Sequence, residues 1–252
     1  MNNLSVAIIT FNEEKNIERC LNSVKNIADE ILVVDSFSTD NTEDICKKFN
    51  VNFIKNKFSG HIQQKEFAKD TAKYDYVLSL DADELLDEEL IHSIKLIKSN
   101  LTFDGYEMNR LNNYCGKWIK HGSWYPDKKI RLVNKHKASW QGKNPHDSLK
   151  LINRTSPGKL KGNILHFSYS SIEEHINQTN KFTTISAEVL FKEEKSINFF
   201  KIFLSTFGSF FKGFFLKLAF LDGFYGITIC LINTFATWLK YTKLRQLIKD
   251  SK

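Results

Sequence analysis

Short apolar runs alternate with amphipathic stretches through the first third of the chain. The runs are rich in Val, Ile and Leu and too short for buried helices, which is typical of strands covered on both faces. They predict strands over residues 4–10, 30–35, 51–54 and 76–80. The stretches between them predict a helix after Asn12, which is placed to cap it, and helices over 42–49 and 61–72. This alternation indicates an α/β fold with a mostly parallel central sheet.

Polar residues stand at the carboxyl ends of three of these strands: Thr10, Asp35 and Asp81. Ligands of parallel sheets bind beyond those ends, so we expect the three residues to share one site. A carboxylate at position 35 can accept a hydrogen bond from the imide N–H of a pyrimidine base. The alternative for the following segment is local, with a polar residue at 38–40 capping the next helix.

The pattern changes further along the chain. After Asp104 it consists of short strands and aromatic loops, and after Ser171 the chain becomes helical, apolar and basic. We therefore expect an α/β domain over residues 1–190 and a helical appendage over residues 191–252.

The appendage carries most of the net charge of +7. It holds ten basic and four acidic residues, and twelve of the 21 phenylalanines. Basic and aromatic side chains together suit an anionic membrane surface or a nucleic acid. Because the charge lies among phenylalanines and no nucleic-acid-binding motif occurs, we expect a membrane surface and no nucleic acid. The first residues lack a basic segment followed by an apolar run, so no signal peptide is expected.

One stretch of the appendage approaches the length of a membrane span. Residues 218–239 carry Asp222 as their one charge, and about 20 apolar residues cross a bilayer. Gly223, Gly226 and the nearby lysines instead favour helices that lie in the cytoplasmic leaflet. The alternative is a helical pair packed on the rest of the protein.

Glycine does not occur before Gly60, so no glycine-rich loop follows the first two strands. This argues against a Walker A loop and a dinucleotide fingerprint. Asp81 and Asp83 offer another way to hold phosphates, since two carboxylates leaving a strand can bind one Mg²⁺ or Mn²⁺ that bridges to a diphosphate. The alternative is that Asp83 and Glu84 merely precede the helix expected from Asp87, where acids favour the helix dipole.

Nine blocks, taken in order, resemble the successive motifs of the family 2 glycosyltransferases. The first four are VAIITFNE at 6–13, VVDSFSTDNT at 33–42, QK at 64–65 and LDADE at 80–84. The others resemble the branch of lipopolysaccharide-core β-glucosyltransferases: GSWYPD at 122–127, RL at 131–132, PHD at 145–147, LHFSY at 165–169 and FLDGFYG at 220–226. The resemblance covers essentially the whole chain.

The resemblance implies a GT-A fold and sugar transfer from a nucleotide-sugar with inversion. The donor residues that it implies are Thr10, Phe11 and Glu13 in the nucleotide pocket, Asp35 at the base, Lys65 near the ribose and phosphate, Asp81 near the ribose and metal, and Asp83 on the metal. For Lys65 the alternative is a solvated helix face.

The resemblance also implies a general base at Asp147. His146 and Asp147 stand where this branch is expected to have His-Glu, and the shorter side chain is a departure from that pattern. Asp127 is the rival, since it can instead orient an acceptor hydroxyl. A further alternative is that Asp147 caps a turn after Pro145.

Trp124, Asp127 and Arg131 are expected at the acceptor, although an aromatic ring such as that of Trp124 also suits the core. His166 is expected as a third metal ligand, in competition with a structural role at a strand end.

Together with the Asp81 and Asp83 pair, the resemblance implies a metal-dependent, inverting hexosyltransferase that uses Mn²⁺ or Mg²⁺. The reaction that the resemblance implies moves a hexose, with glucose as the first candidate, from a UDP-sugar to a lipid-linked saccharide such as the lipopolysaccharide inner core. The alternative acceptor is polyprenyl-linked, in capsule or exopolysaccharide assembly. The expected location is the cytoplasmic face of the bacterial inner membrane, with peripheral attachment.

Overall fold

The computed structural model describes residues 2–143, 146–195 and 197–251, without the side chains of Lys143 and His146. The strands are β1 Leu4–Thr10, β2 Glu30–Asp35, β3 Asn52–Lys55, β4 Tyr76–Asp81, β5 Glu84–Leu86, β6 Gly105–Tyr114, β7 Lys117–Ile119, β8 Asp127–Asn134, β9 Ala138–Lys143, β10 His146–Leu151 and β11 Gly158–Tyr169. The α-helices are α1 Ile17–Val24, α2 Thr42–Cys46, α3 His61–Thr71, α4 Glu88–Lys98, α5 Ile172–Lys192, α6 Phe199–Phe211 and α7 Gly223–Asp250. Shorter turns are 3₁₀ at Gly122–Trp124, Lys135–Lys137 and Ala219–Asp222, and π-helical at Lys212–Leu216.

The four strands expected from the apolar runs are confirmed, but the first helix begins later than expected. Asn12 has a left-handed backbone with φ of 55°, and its side-chain oxygen accepts a hydrogen bond from the Thr39 N–H at 2.8 Å. The expected cap at Asn12 is therefore wrong, because that oxygen is used by a neighbouring loop. The second helix ends at Cys46 rather than at residue 49.

The main sheet is mixed, with the order β3-β2-β1-β4-β8-β6-β11-β5, and β7 pairs with β6. The strands β3, β2, β1 and β4 are parallel, as the sequence predicts. The strand β8 then runs antiparallel to β4 and to β6. Outside this sheet, β9 and β10 form an antiparallel pair.

Two cores cover the parallel strands, because successive side chains of a strand point to opposite faces. Val6 and Ile8 of β1 belong to the core that includes α1 and α4. Ala7, between them, belongs to the core with Ala68 and Ala72 at α3. The helices thus cover both faces, and the carboxyl ends of the strands are left for a ligand.

The chain forms two compact units that interleave in sequence. Residues 1–110 and 127–166 form the first unit, and residues 111–126 and 167–252 form the second. The expected division into a domain over residues 1–190 and an appendage over residues 191–252 stays a prediction.

A buried carboxylate on β5 joins that strand to three others of the first unit, β4, β6 and β8. Glu84 of β5 is fully buried and accepts hydrogen bonds from Arg131 of β8 at 2.9 Å and from the Asp81 N–H at 3.0 Å. Arg110 of β6 lies 3.5 Å from the same carboxylate. Since a buried charge is tolerated only when it is paired, these contacts fix the strands at the end of β4.

Glu84→Gln should lower the free energy of unfolding by about 3 kcal/mol, because it leaves Arg131 buried with one charge fewer beside it. Glu107→Gln is the matched control: Glu107 pairs at 3.5 Å with the exposed Lys128. Its loss should be below about 1 kcal/mol. Urea titration of both variants at neutral pH measures the difference, and equal losses would contradict a special role for Glu84.

A cluster of aromatic rings surrounds His175 in the second unit. The His175 ring stacks on Tyr169 at 4.6 Å between centroids, and its Nδ1 lies 3.1 Å from the Tyr114 hydroxyl. Trp124 and Tyr225 contact the same Tyr114 ring edge to face. Burial lowers the pKa of His175 from 6.5 to about 4.

This lowered pKa sets a pH window for stability. Between pH of about 6.5 and 4 the unfolded chain binds a proton at position 175 and the folded chain does not. The contribution is complete above the unfolded pKa and declines as the pH falls toward the folded one. The melting temperature of the wild type should therefore fall more steeply with acidification through this window than that of His175→Gln. The exposed His92 supplies the control, since His92→Gln should retain the wild-type slope; parallel slopes for all three proteins would refute the assignment.

Candidate functional site

The carboxyl ends of β1, β2 and β4 meet at one edge of the first unit. In the parallel register Thr10 pairs with Asp35, and Ile9 pairs with Asp81. The three polar residues expected at one site therefore lie on neighbouring strand ends.

A cavity of about 620 Å³ opens at this edge. Five residues predicted from the sequence line it: Thr10, Phe11, Glu13, Asp81 and Asp83. Ser36, Phe58 and His61 line it as well, although the sequence reasoning did not select them. Phe58 and His61 lie beyond the end of β3 at Lys55, and His61 is the first residue of α3, so the strand-end argument does not select them.

Asp35 is not among the residues that line the cavity. Its carboxylate is buried and accepts hydrogen bonds from the N–H of Ser38 at 2.9 Å and from the Ser38 hydroxyl. Asp35 thus fixes the turn after β2, and its contact with a base stays a prediction. The N-cap of the next helix is Asn41, outside the expected 38–40, and its side chain forms no capping hydrogen bond. Asp40, one residue earlier, accepts a hydrogen bond from the Thr42 N–H at 3.0 Å.

Three buried oxygen atoms at the cavity have no hydrogen-bond partner among the described residues: Thr10 Oγ1, Asp81 Oδ1 and Asp83 Oδ1. An unpaired buried polar atom costs about 1–3 kcal/mol, and more when it is charged. A bound ligand or cation relieves that cost.

Glu13 lines the same cavity, and burial raises the pKa of its carboxyl group. A hydrogen bond from Asn16 opposes this rise, and the negative charge of Asp83 adds to it.

Asp83 and His166 lie close together, with His166 Nε2 3.2 Å from Asp83 Oδ2. Carboxylate and imidazole groups are ligands that Mn²⁺ accepts, and Mg²⁺ favours the carboxylates. Within 2–143, 146–195 and 197–251, no three His, Cys, Asp or Glu side chains are grouped so that they could hold a metal alone. The unpartnered Asp81 and Asp83 oxygens fit an ion that takes its remaining ligands from a bound phosphate, as Mg²⁺ commonly does.

Helix α3 places Lys65 beside the carboxylates of Asp81 and Asp147. Its Nζ donates to Asp81 Oδ2 at 3.0 Å and to Asp147 Oδ2 at 2.8 Å, and it lies 4.8 Å from the centre of the Trp140 ring. Lys65 is only 7% exposed, so the alternative of a solvated helix face is wrong. Burial tends to raise the pKa of Asp81, but Lys65 and Arg131 outweigh it and hold that pKa well below its ordinary value.

Asp147 forms an ion pair with the ammonium group of Lys65 at 2.8 Å, and 12% of the Asp147 side chain is exposed. The pairing of β9 with β10 places it opposite Gly142. Asp147 therefore belongs to the ion network at the strand ends, and its role as a base stays a prediction. Pro145, after which a turn is the alternative, lies outside the described residues.

The three residues expected at the acceptor have different surroundings. Arg131 is buried in the ion network described above. Asp127 accepts a hydrogen bond from Arg110 Nε at 2.9 Å. Trp124 belongs to the second unit and packs edge to face on Tyr114 at 5.6 Å, as its core alternative predicts. Contact with an acceptor stays a prediction for all three.

Comparison with known proteins assigns the family. The sequence profile of glycosyl transferase family 2 matches residues 5–158. A protein of Rickettsia typhi, named as an uncharacterized glycosyltransferase, is 37% identical over 263 residues that cover 100% of this chain and 90% of the relative. The lipopolysaccharide core biosynthesis glycosyltransferase LpsC of Rhizobium meliloti is 26% identical over 228 residues, which cover 87% of this chain and 82% of that protein.

Among solved structures, the crystal structure of S. aureus TarS 1–349 in complex with UDP aligns with a TM-score of 0.48 and 17% identity, covering 86% of this chain and 74% of that chain. The mixed sheet with helices on both faces is the GT-A-like fold that the sequence predicts. The chain belongs to the family 2 glycosyltransferases.

Proposed function

We propose that this chain transfers a hexose, with glucose as the leading candidate, from a UDP-sugar to a hydroxyl of a lipid-linked saccharide, with inversion at the anomeric carbon. The observation that carries the proposal is the set of three unpartnered buried oxygens at the 620 Å³ cavity. That volume suits a ligand of nucleotide size. The similarity to LpsC, which is named for lipopolysaccharide core biosynthesis, supports the lipopolysaccharide inner core as the acceptor.

The nucleotide occupies the cavity in this proposal. Phe11 and Phe58 line it with 56% and 47% of their surface exposed, so a flat base can stack on an aromatic face. Thr10 Oγ1 offers a hydroxyl to the ribose or the phosphate. Asp35, in the turn after β2, is the residue proposed to meet the base.

A divalent cation, Mn²⁺ or Mg²⁺, is proposed to bind with the donor. Asp83 and His166 would hold it, with Asp81 beside it. When bound, the ion neutralises charge on the diphosphate and on the departing UDP. Lys65 adds a fixed positive charge at the same edge, and its pairing with Asp81 and Asp147 orients the ammonium before the donor arrives.

Inversion requires one in-line displacement. The acceptor oxygen forms a bond to the anomeric carbon while the bond from that carbon to the diphosphate oxygen breaks, and UDP leaves with the electron pair. The acceptor hydroxyl must lose its proton as it attacks. Asp147 is the proposed base, supported by its position on Lys65 at the strand ends where the diphosphate is proposed to lie.

Membrane attachment is proposed through the second unit. Phe199–Leu216 and Ala219–Asp250 are long and apolar enough to cross a membrane by length and composition. Only 6% of the first segment is buried, and Phe199, Phe203 and Phe207 are among its most exposed side chains. Exposed apolar surface of this kind marks a membrane or protein contact. We propose peripheral attachment to the cytoplasmic leaflet of the inner membrane, because Gly223, Gly226 and the nearby Lys212 and Lys217 favour helices that lie on the membrane surface.

Asp83→Asn should abolish sugar transfer and weaken UDP binding in Mn²⁺ by about tenfold or more, because an ion–carboxylate contact is lost. Calorimetric titration with UDP measures the affinity, and a melting curve checks the fold. Asp44→Asn is the control, since Asp44 lies on α2 with 71% of its side chain exposed. Unchanged affinity for UDP in Asp83→Asn would overturn the assignment of the metal ligand.

Asp147→Asn should reduce turnover by 10²- to 10⁴-fold, because it removes the proton acceptor and nearly preserves the side-chain shape. Metal-dependent UDP affinity should stay within about twofold, which separates loss of the base from loss of the donor site. The assay measures the rate at which labelled hexose is transferred from the UDP-sugar to a lipid-linked saccharide acceptor extracted from bacterial membranes. Asp127→Asn is the paired variant: if it loses turnover in this way and Asp147→Asn does not, Asp127 is the base.

A further inference from the structure

The second unit contains a cavity of about 370 Å³ that the proposed transfer reaction does not use. Its walls are the turn at Gly122–Trp124, the end of α6 with the π-helical turn, and the first half of α7. A Cβ atom at Gly226 would lie 2.0 Å from the Ala219 carbonyl oxygen, and one at Gly213 would lie 3.0 Å from Cys230 Sγ. Close backbone packing at these glycines therefore shapes the cavity.

Asp222 holds one wall of the cavity in place. Its buried carboxylate accepts hydrogen bonds from the N–H groups of Lys120 at 2.9 Å and His121 at 2.7 Å. The same carboxylate lies 3.0 Å from His121 Nδ1. The N–H of Gly122 donates to the Lys217 carbonyl oxygen at 2.7 Å. The loop that carries His121 is thus fixed against the segment that carries Lys217.

Two lysines line this cavity, and their charges are unpaired. Lys212 and Lys217 are exposed, and among residues 2–143, 146–195 and 197–251 neither ammonium group forms an ion pair or a hydrogen bond. Ser123 and Asn233 add a hydroxyl and an amide, which hydrogen-bond to each other at 3.0 Å. A pocket with two free cations and neutral polar groups suits a phosphate.

Exposed apolar side chains adjoin these cations along the chain. Phe211, Phe215 and Leu216 are exposed next to Lys212 and Lys217. A soluble phosphate would gain nothing from these side chains. A molecule with a phosphate headgroup and an acyl chain would pair with both the lysines and the apolar surface.

We propose that this cavity binds the phosphate headgroup of a lipid, with Lys212 and Lys217 as its cationic ligands. The site deepens the membrane attachment proposed above and rests on it. The sugar donor plays no part in it. A defined headgroup site of this kind differs from the diffuse attraction of a basic tail to an anionic surface, because it selects the chemistry of the headgroup.

The test compares vesicles of equal surface potential that differ in the chemistry of their anionic lipid. One set holds a neutral, phosphate-free glycolipid with phosphatidic acid, and the other holds the same glycolipid with a carboxylate-bearing lipid. The full-length wild type should bind the phosphatidic acid vesicles at least about fivefold more tightly in a flotation assay. Lys212→Gln/Lys217→Gln should lose that preference. Lys195→Gln/Lys201→Gln removes the same charge from exposed positions that do not line the cavity, and it should retain the preference.

A second variant tests the cavity without a change of charge. Thr237→Phe introduces a large ring at a lining position, and it should also lose the preference for phosphatidic acid while its melting temperature stays near that of the wild type. An equal loss of preference in both lysine pairs would overturn the site and leave membrane attachment standing. Binding to neither kind of vesicle would overturn both. Competition by inorganic phosphate as strong as that by short-chain phosphatidic acid would assign the cavity to a free phosphate instead of a lipid.

Discussion

Negative charge at the end of β4 determines how the first unit is built. Asp81 and Glu84 lie three residues apart in the sequence. Burying a carboxylate without a cation beside it destabilises the fold by about several kcal/mol for each ion. Arg131 from β8 and Lys65 from α3 supply those cations at 2.9 and 3.0 Å. The positions of β8 and α3 are therefore tied to the same acids that form the candidate donor site.

The same arrangement explains why the site is ready for a ligand. The cations neutralise one side of the acidic cluster. Within the described ranges 2–143, 146–195 and 197–251, one oxygen each of Asp81 and Asp83 has no hydrogen-bond partner. A site in which every oxygen were paired would have to break contacts before a metal ion or diphosphate could bind. The energetic cost of the unpaired oxygens is borne by the fold and recovered on binding.

The sequence predicts the parallel strands because the apolar runs are too short for buried helices. Thr10 and Asp81 then follow as candidate ligand-binding residues, because they stand at the carboxyl ends of those strands. It does not predict the contact between Lys65 and Asp147, since they are 82 positions apart and only tertiary packing joins them. The conformation of Asn12 also depends on a tertiary contact, because its side-chain oxygen accepts a hydrogen bond from Thr39 in a neighbouring loop. The interleaving of the two units was missed for the same reason: residues 111–126 show no composition that links them to residues 167–252.

The central claim is that Asp81 of the donor site is already ionised and paired with Lys65 before the donor binds. Calorimetric titration of UDP-glucose with Mn²⁺ at neutral pH, repeated in buffers of different ionisation enthalpy, counts the protons released on binding. The account predicts an observed heat that does not depend on the buffer, since Lys65 and Arg131 hold the pKa of Asp81 low. Release of about one proton for each donor bound would contradict it, because a site acid would then have been protonated in the free protein.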